Sequence, residues 1–220
     1  MANIFSSSIG KKLVMSLSGL FLMVFLLLHL SINCAAVVSE EAYNAACHFM
    51  DTNIFIKFMV PVLALGFFFH IVFAAVLTLH NMGARPAKYA VSNKAKASSW
   101  ALRNMFVLGL IVLGFVAVHL SHFWAEMQLQ HFIGGTATDN PYLLVKTTLE
   151  NPLWAAVYIV WFLALWFHLT HGFWSAFQTI GLNNQKWIPR LQIVSTAFAT
   201  LVAMGYTFIA LWFVLGFAAK

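Results

Sequence analysis

LVMSLSGLFLMVFLLLHLSINCAAVVS, Leu13–Ser39, runs for 27 residues without a charged side chain. A helix rises ~1.5 Å per residue and a bilayer's hydrocarbon core is about 30 Å thick, so ~20 apolar residues cross it. Four more charge-free runs pass the same test: Phe58–Ala84 (27 residues), Asn104–Ala125 (22), Asn151–Gln185 (35) and Leu191–Ala219 (29). None reaches twice the spanning length without turn signals inside it. The expected fold is therefore an all-α integral membrane protein, a five-transmembrane-helix bundle. Its helices, I to V, should cover residues 13–36, 55–81, 100–125, 152–179 and 191–218 of a single membrane-anchor domain, 1–220.

Composition agrees. Of the 220 residues, 62% are hydrophobic and 8% charged, whereas a soluble domain carries about a quarter charged residues to cover its surface in water. Two cysteines, Cys34 and Cys47, make no disulfide framework and no C-x-x-C-H haem-attachment motif. There is no repeat, no low-complexity tract and no separate soluble domain. Lys11 and Lys12 precede an apolar run as in a signal peptide, but the run is too long for an h-region, and cleavage is not expected.

The excess of basic residues reports orientation before it reports nucleic acid, and no nucleic-acid partner is expected. A cytoplasmic N-terminus puts Lys11, Lys12, Arg85, Lys88, Lys94, Lys96, Arg103, Lys186 and Arg190 inside, nine of the twelve cations. All six acids, Glu40, Glu41, Asp51, Glu126, Asp139 and Glu150, then fall outside, as does the C-terminus. Trp100, Trp174 and Trp187 near one boundary and Trp124, Trp154 and Trp212 near the other form aromatic belts. Helix ends carry their own signals. Ser98 and Ser99 can cap helix III, and Asn151-Pro152 reads as N-cap and first helical residue of helix IV. Gly181, Asn183 and Asn184 should close helix IV, Pro189 should precede helix V, and a short interfacial helix is expected near Tyr142–Leu149.

Ionisable groups inside a membrane are costly and mark function by default. Six of the nine histidines fall in spans: His29 in helix I, His70 in II, His119 and His122 in III, His168 and His171 in IV. Counting from the entry of each helix at ~1.5 Å per residue, His29 and His119 lie at one depth in the outer half, and His70 and His168 share a depth in the inner half. Two imidazoles facing each other across a bundle supply the axial ligands of one b-type haem, so two such pairs hold two. Gly66, Gly172 and Gly114 near these histidines suit a flat ring packed against helix backbone. The H-x-x-H pairs His119/His122 and His168/His171 can also share a helix face, which admits a di-iron or zinc centre. That reading lacks the buried carboxylates a bundle di-iron site uses.

The ordered set LLLHLSIN around His29, ACHFMDT at 46–52, FFFHIVFA around His70, LRNMF…FVAVHLSHFW around His119 and FHLTHGFWSAFQTIGL around His168 resembles the single-chain, di-haem cytochrome b membrane subunit of succinate dehydrogenase and fumarate reductase. The similarity covers nearly the whole chain in the right order. It implies five membrane helices, two haems b, a quinone site, and a flavoprotein and an iron–sulfur subunit docked on the cytoplasmic face of a bacterial inner membrane. By the same resemblance His29 and His119 ligate the outer haem iron and His70 and His168 the inner one. His122 and His171 are left for propionate or quinone contacts, and menaquinone is the implied quinone.

Asp51 occupies the place of an acidic residue that serves the quinone site in some members, with Asp where Glu is expected. Its alternative role is capping, since Asp-Thr-Asn precedes helix II. In certain menaquinol-oxidising members a glutamate stands in helix IV where this chain has Trp166, so that compensating proton path would need other groups.

The expected function is thus the anchor and quinone-reactive electron-transfer subunit of a succinate:quinone oxidoreductase. The dicarboxylate chemistry must lie in partner subunits, because the chain has no Gly-rich dinucleotide fingerprint and no cysteine set for a cluster. A haem b anchor of a hydrogenase or formate dehydrogenase would share bis-histidine ligation. A haem-free scaffold or transporter would use the histidines for packing or proton relay. An absorption spectrum separates the last reading from the others.

Overall fold

The computed structural model describes residues 7–83 and 104–219. Ser98, Ser99 and Trp100 lie outside the described residues, as do the cations from Arg85 to Arg103. Five helices are long and apolar enough to cross a membrane, and the described residues contain no strand. Helix α1 covers Ser8–Val38, α2 Glu40–Thr52 and α3 Ile54–Gly83. After α4, Met105–His119, the chain continues without a break into a π-helix at Leu120–Leu129 and a short α5, Gln130–Ile133. Helix α6 is Pro141–Glu150, α7 Pro152–Thr179 and α8 Trp187–Val214, followed by a 3₁₀ turn at Phe217–Ala219. Large apolar side chains stand exposed along the spans, Val24 60%, Leu28 61%, Ile193 72% and Met204 67% among them. Water would penalise such a surface and acyl chains do not, so these are lipid-facing residues of a multi-pass membrane protein.

Polar residues set the helix ends. Ser39 Oγ accepts from Ala42 N at 3.1 Å and starts α2, whose first turn carries Glu40 and Glu41 at the positive end of the helix dipole. The Glu41 carboxyl is held below its usual range by backbone hydrogen bonding and by Ser39. Asn53 does two jobs: its N–H closes α2 on Phe49 O, and its Oδ1 accepts from Phe55 N at 2.9 Å to open α3. Asn140 caps α6 ahead of Pro141, and Asn151 caps α7, accepting from Leu153 N at 3.0 Å. Gly181, at φ +113°, takes the left-handed turn after α7. Two expectations shift here. Asn184 opens the next helix, accepting from Lys186 N and Trp187 N, and Pro189 falls inside the first turn of α8, where its missing N–H costs nothing.

The described residues form two compact units, and each spanning helix contributes to both. The first contains α1 to Phe25, α3 from Val60, α4 to Gly109, α7 from Phe167 and α8 to Ala199. Here Gly66 lets α3 close on α1, since a Cβ would sit 2.8 Å from Phe21 Cδ1. The second contains α1 from Leu26, α2, α3 to Met59, α4 from Leu110 with the π-helix, α6, α7 to Trp166 and α8 from Thr200. Its core joins Leu30, Tyr43, Tyr142, Val145, Tyr158, Phe162 and Phe213. Helix α2 lies against α6, stapled by Asn44: its Nδ2 donates to Asn140 Oδ1 at 3.1 Å and its Oδ1 accepts from Tyr142 N at 2.9 Å.

Candidate functional site

Each unit brings together one pair of histidines. In the second unit the rings of His29 on α1 and His119 at the end of α4 have centres 5.7 Å apart and planes at 89°. In the first, His70 on α3 and His168 on α7 are 6.3 Å apart at 73°. These are the pairings that equal depth in the sequence predicts. With an imidazole–metal distance of about 2.0–2.1 Å and roughly 1.1 Å from nitrogen to ring centre, one ion between two rings separates their centres by about 6 Å.

The ring nitrogens support the same use. His119 Nδ1 and His168 Nδ1 are buried without a hydrogen-bond partner, a condition that costs free energy unless something else engages the ring. His70 Nδ1 lies 3.4 Å from Met15 O. A carbonyl only accepts, so Nδ1 carries the hydrogen and Nε2 keeps the lone pair a metal requires. Among the described residues no three His, Cys, Asp or Glu side chains converge, so the donors are arranged as pairs and not as a protein-only cluster.

Two glycines lie close to the rings of the first-unit pair. A Cβ on Gly19 of α1 would lie 3.2 Å from His70 Cε1, and one on Gly109 of α4 would lie 3.8 Å from His168 Cε1. Helices α1 and α4, which contribute no histidine to this pair, thus bring glycines to the two rings. Gly66 and Gly172, singled out from the sequence, face Phe21 and two methionines, Met105 and Met23, and Gly114 has no neighbour within 4 Å. The glycines that matter lie on the opposite helices, invisible to spacing along one helix. Ser195 of α8 is fully buried, and its hydroxyl donates to Thr170 O at 2.7 Å and Leu169 O at 3.1 Å. Helix V has no histidine, yet through Ser195 it grips α7 beside His168. His171, the second member of its H-x-x-H pair, is buried with Nδ1 unpartnered and meets Trp174 edge-on, ring centres 4.9 Å apart.

The second-unit pair is set in aromatic rings instead. Phe115, Phe123 and Tyr158 lie 5.6, 5.2 and 6.4 Å from His119, centre to centre. Tyr206 of α8 stands 6.1 Å from His29, stacks on Phe162, and donates its hydroxyl to Leu26 O at 3.3 Å. His122 and His119 both pack on Phe123 and Tyr158. The π-helix starts at Leu120, its wider turn breaks the α-helical register, and His122 meets Trp154 and Tyr158 of α7, with Nδ1 3.1 Å from the Tyr158 hydroxyl.

Asp51, near the end of α2, accepts from Gln128 Nε2 at 3.4 Å, and helix capping at this corner falls to Asn53. The capping alternative for Asp51 is therefore removed. Trp166 donates from Nε1 to Thr200 Oγ1 at 3.0 Å, so an indole fills the position where the resemblance has a carboxylate. His48 and His80 are exposed and away from both pairs. Cys34 and Cys47 are free thiols.

Fold and site define a helical membrane protein with five candidate spans among the described residues and two half-buried imidazole pairs. The chain is 27% identical over 193 residues, 86% of each chain, to the succinate dehydrogenase cytochrome b558 subunit of Bacillus subtilis (strain 168). No family model matches it, and no solved structure matches it.

Proposed function

We propose that this chain is the membrane anchor and electron-transfer subunit of a succinate:quinone oxidoreductase. The observation that carries the reading is that two close histidine pairs, ring centres 5.7 and 6.3 Å apart, occur on four spanning helices of a chain similar along 86% of its length to a succinate dehydrogenase cytochrome b558 subunit. His29 and His119 hold the iron of one haem b, and His70 and His168 that of a second. The haems supply one-electron redox chemistry. The protein supplies ligands, their orientation, and exclusion of water.

Met15 O fixes the hydrogen of His70 on Nδ1, Gly19 and Gly109 keep backbone close to the two rings, and Ser195 holds the α7 turn that carries His168. Tyr206 and Phe162 wall the His29 side. By the nine-to-three cation split the His70/His168 pair lies toward the cytoplasm, where flavoprotein and iron–sulfur partners dock and interconvert succinate and fumarate. The His29/His119 pair then lies toward the outside, beside the quinone. Quinone chemistry exchanges protons with water, and Asp51, tied through Gln128 to the π-helix, is the carboxylate placed to pass them. His122 and His171 contact propionates or quinone, and menaquinone is the quinone that the resemblance favours.

The deciding experiment is an absorption spectrum of the purified chain with a count of haem per chain. Two reduced low-spin b-type haems support the reading, and a colourless protein refutes it. Cysteines introduced into the 85–96 connection should be labelled from the cytoplasmic side and those in 134–140 from the outer side. The reverse pattern would overturn the assignment of inner and outer pairs.

A further inference from the structure

Asn33 stands one helical turn after His29 on α1, half-buried in a charge-free span. An amide in lipid costs free energy unless it is hydrogen-bonded, and in membrane bundles such side chains commonly bond a neighbouring helix. Asn33 does otherwise. Among the described residues its polar contacts all go to His29: Nδ2 donates to His29 O at 2.8 Å and lies 3.5 Å from Nδ1 and 3.5 Å from Nε2 of the same ring. The places one turn after His70, His119 and His168 hold Ala74, Phe123 and Gly172. Of the four paired histidines, His29 alone is followed at this spacing by an amide.

The equal distances decide what the contact is. The two lone-pair directions of an imidazole diverge within the ring plane, and a point equidistant from both nitrogens lies on neither. An equidistant atom in that plane would collide with Cε1 or with the Cγ–Cδ2 edge, so Nδ2 sits out of plane, against the face of the ring. An N–H directed at an aromatic face is a weak hydrogen bond, and it uses up neither ring nitrogen. The amide nitrogen has two hydrogens. One goes to His29 O and anchors the side chain to the backbone of the residue it serves, and the other is left for the ring face. Tyr206 stands 6.1 Å from the same imidazole, and His119 meets it edge-on at 89°. Rotation of the His29 ring is thus restrained by a group on its own helix. The positive end of the N–H dipole also faces this ring, and a positive dipole end beside a metal ligand favours the reduced, less positive metal.

We propose that Asn33 is the positioning residue of His29: its amide sets the plane of this imidazole against that of His119 and raises the midpoint potential of the haem the pair holds. This rests on the proposed function and deepens it, since it gives one of the two haems a control of its own. The other pair has a contact of a different kind, a backbone carbonyl from another helix, Met15 O, 3.4 Å from His70 Nδ1.

The test uses the haem-loaded complex with its partner subunits. Both haems are read by redox titration followed in absorption, and by electron paramagnetic resonance, whose g anisotropy reports the angle between two axial imidazole planes. The signal of the His29/His119 haem is the one that His29→Ala removes. Asn33→Leu deletes the amide at similar volume. Asn33→Ser keeps a hydroxyl that can donate to the carbonyl four residues back and is too short to reach the ring. Both variants are expected to shift the midpoint potential of the His29/His119 haem downward and to change its g anisotropy, with the other haem unmoved. A potential that stays or rises in both variants, or g values that do not move, would overturn the proposal. So would a wild-type signal in Asn33→Ser beside a shift in Asn33→Leu, because the bond to His29 O would then be the whole role. Equal shifts in the two haems, or loss of both, would make Asn33 a packing residue of the bundle and overturn it too. Loss of the His29/His119 haem alone supports it, as the extreme of a misplaced ligand. A wild-type complex without haem refutes the proposed function instead, and that failure shows before any variant is made.

Discussion

The two histidine pairs use the same donor chemistry and are built differently. At His70 and His168, Gly19 and Gly109 bring backbone close to the rings, Ser195 bonds the α7 carbonyls just after His168, and Met15 O engages a ring nitrogen of His70. His29 and His119 meet inside a shell of Phe115, Phe123, Tyr158 and Tyr206, and that shell leads through Tyr158 to His122 and an open cavity. One pair has glycine backbone close against its rings, while the other is joined through Tyr158 to a second imidazole, His122. An electron carrier needs only the first kind of site. A site that also handles a hydroxylated, proton-releasing substrate needs the second.

Removing one ligand of either pair should have the largest effect. His70→Ala or His168→Ala is expected to abolish one low-spin haem signal and leave the other, and His29→Ala or His119→Ala should do the converse, measured by redox-resolved absorption spectra. Retention of both signals in all four variants would dissolve the comparison. His122→Ala and His171→Ala should keep both haems, and loss of a haem in either would show that the wrong member of an H-x-x-H pair had been assigned.

Asp51→Asn should separate the pairs next. The amide can still accept from Gln128, so assembly and both haems are expected to persist while quinone-linked turnover falls by a factor of ten or more. Full turnover in this variant would remove Asp51 from proton exchange.

A smaller contrast concerns how tightly α1 is packed in each unit. An added methyl at Gly66 would meet the Phe21 ring at 2.8 Å, and at Gly205 it would meet the Leu30 methyls at 2.8 and 2.9 Å. A phenyl ring has fewer ways to yield than the end of a leucine. Gly66→Ala should therefore lie toward the upper end of the about 1–3 kcal/mol typical of overpacking, and Gly205→Ala toward the lower. Thermal loss of haem absorbance in the two variants checks the order.

Ser195→Ala should cost least in stability, about 0.6 kcal/mol for one interhelical hydrogen bond in a membrane. Its signature is specific all the same. The midpoint potential or low-spin spectrum of the His70/His168 haem should shift while the other haem is unchanged, and Ser195→Thr should restore it. A shift in both haems, or in neither, would show that Ser195 merely packs.

Parts of this were legible in the residues and parts were not. Spanning helices could be read because a charge-free run of 22 or more residues has no other stable home, and in lipid every backbone group must be satisfied within the helix. The histidine pairing could be read because rise per residue converts position into depth. Helix ends at Asn151-Pro152 and Gly181 were legible because capping is local. By contrast, α2 was missed, since its residues are too polar for a span, and it is anchored by Asn44 and Asn140, 96 positions apart.

What the sequence by itself determined was therefore one-dimensional: which segments cross, how deep each imidazole lies, and which helices must share a level. Only the tertiary structure decided which faces those imidazoles turn to. Gly19 and Ser195 act across a helix interface, from helices whose own pattern contains no sign of His70 or His168. The π-helix at 120–129 changes the direction of His122 by a change in turn width that residue spacing assumes constant. Depth is additive along a chain and can be counted, whereas facing depends on contacts between segments far apart in sequence, and those exist only once the helices have packed.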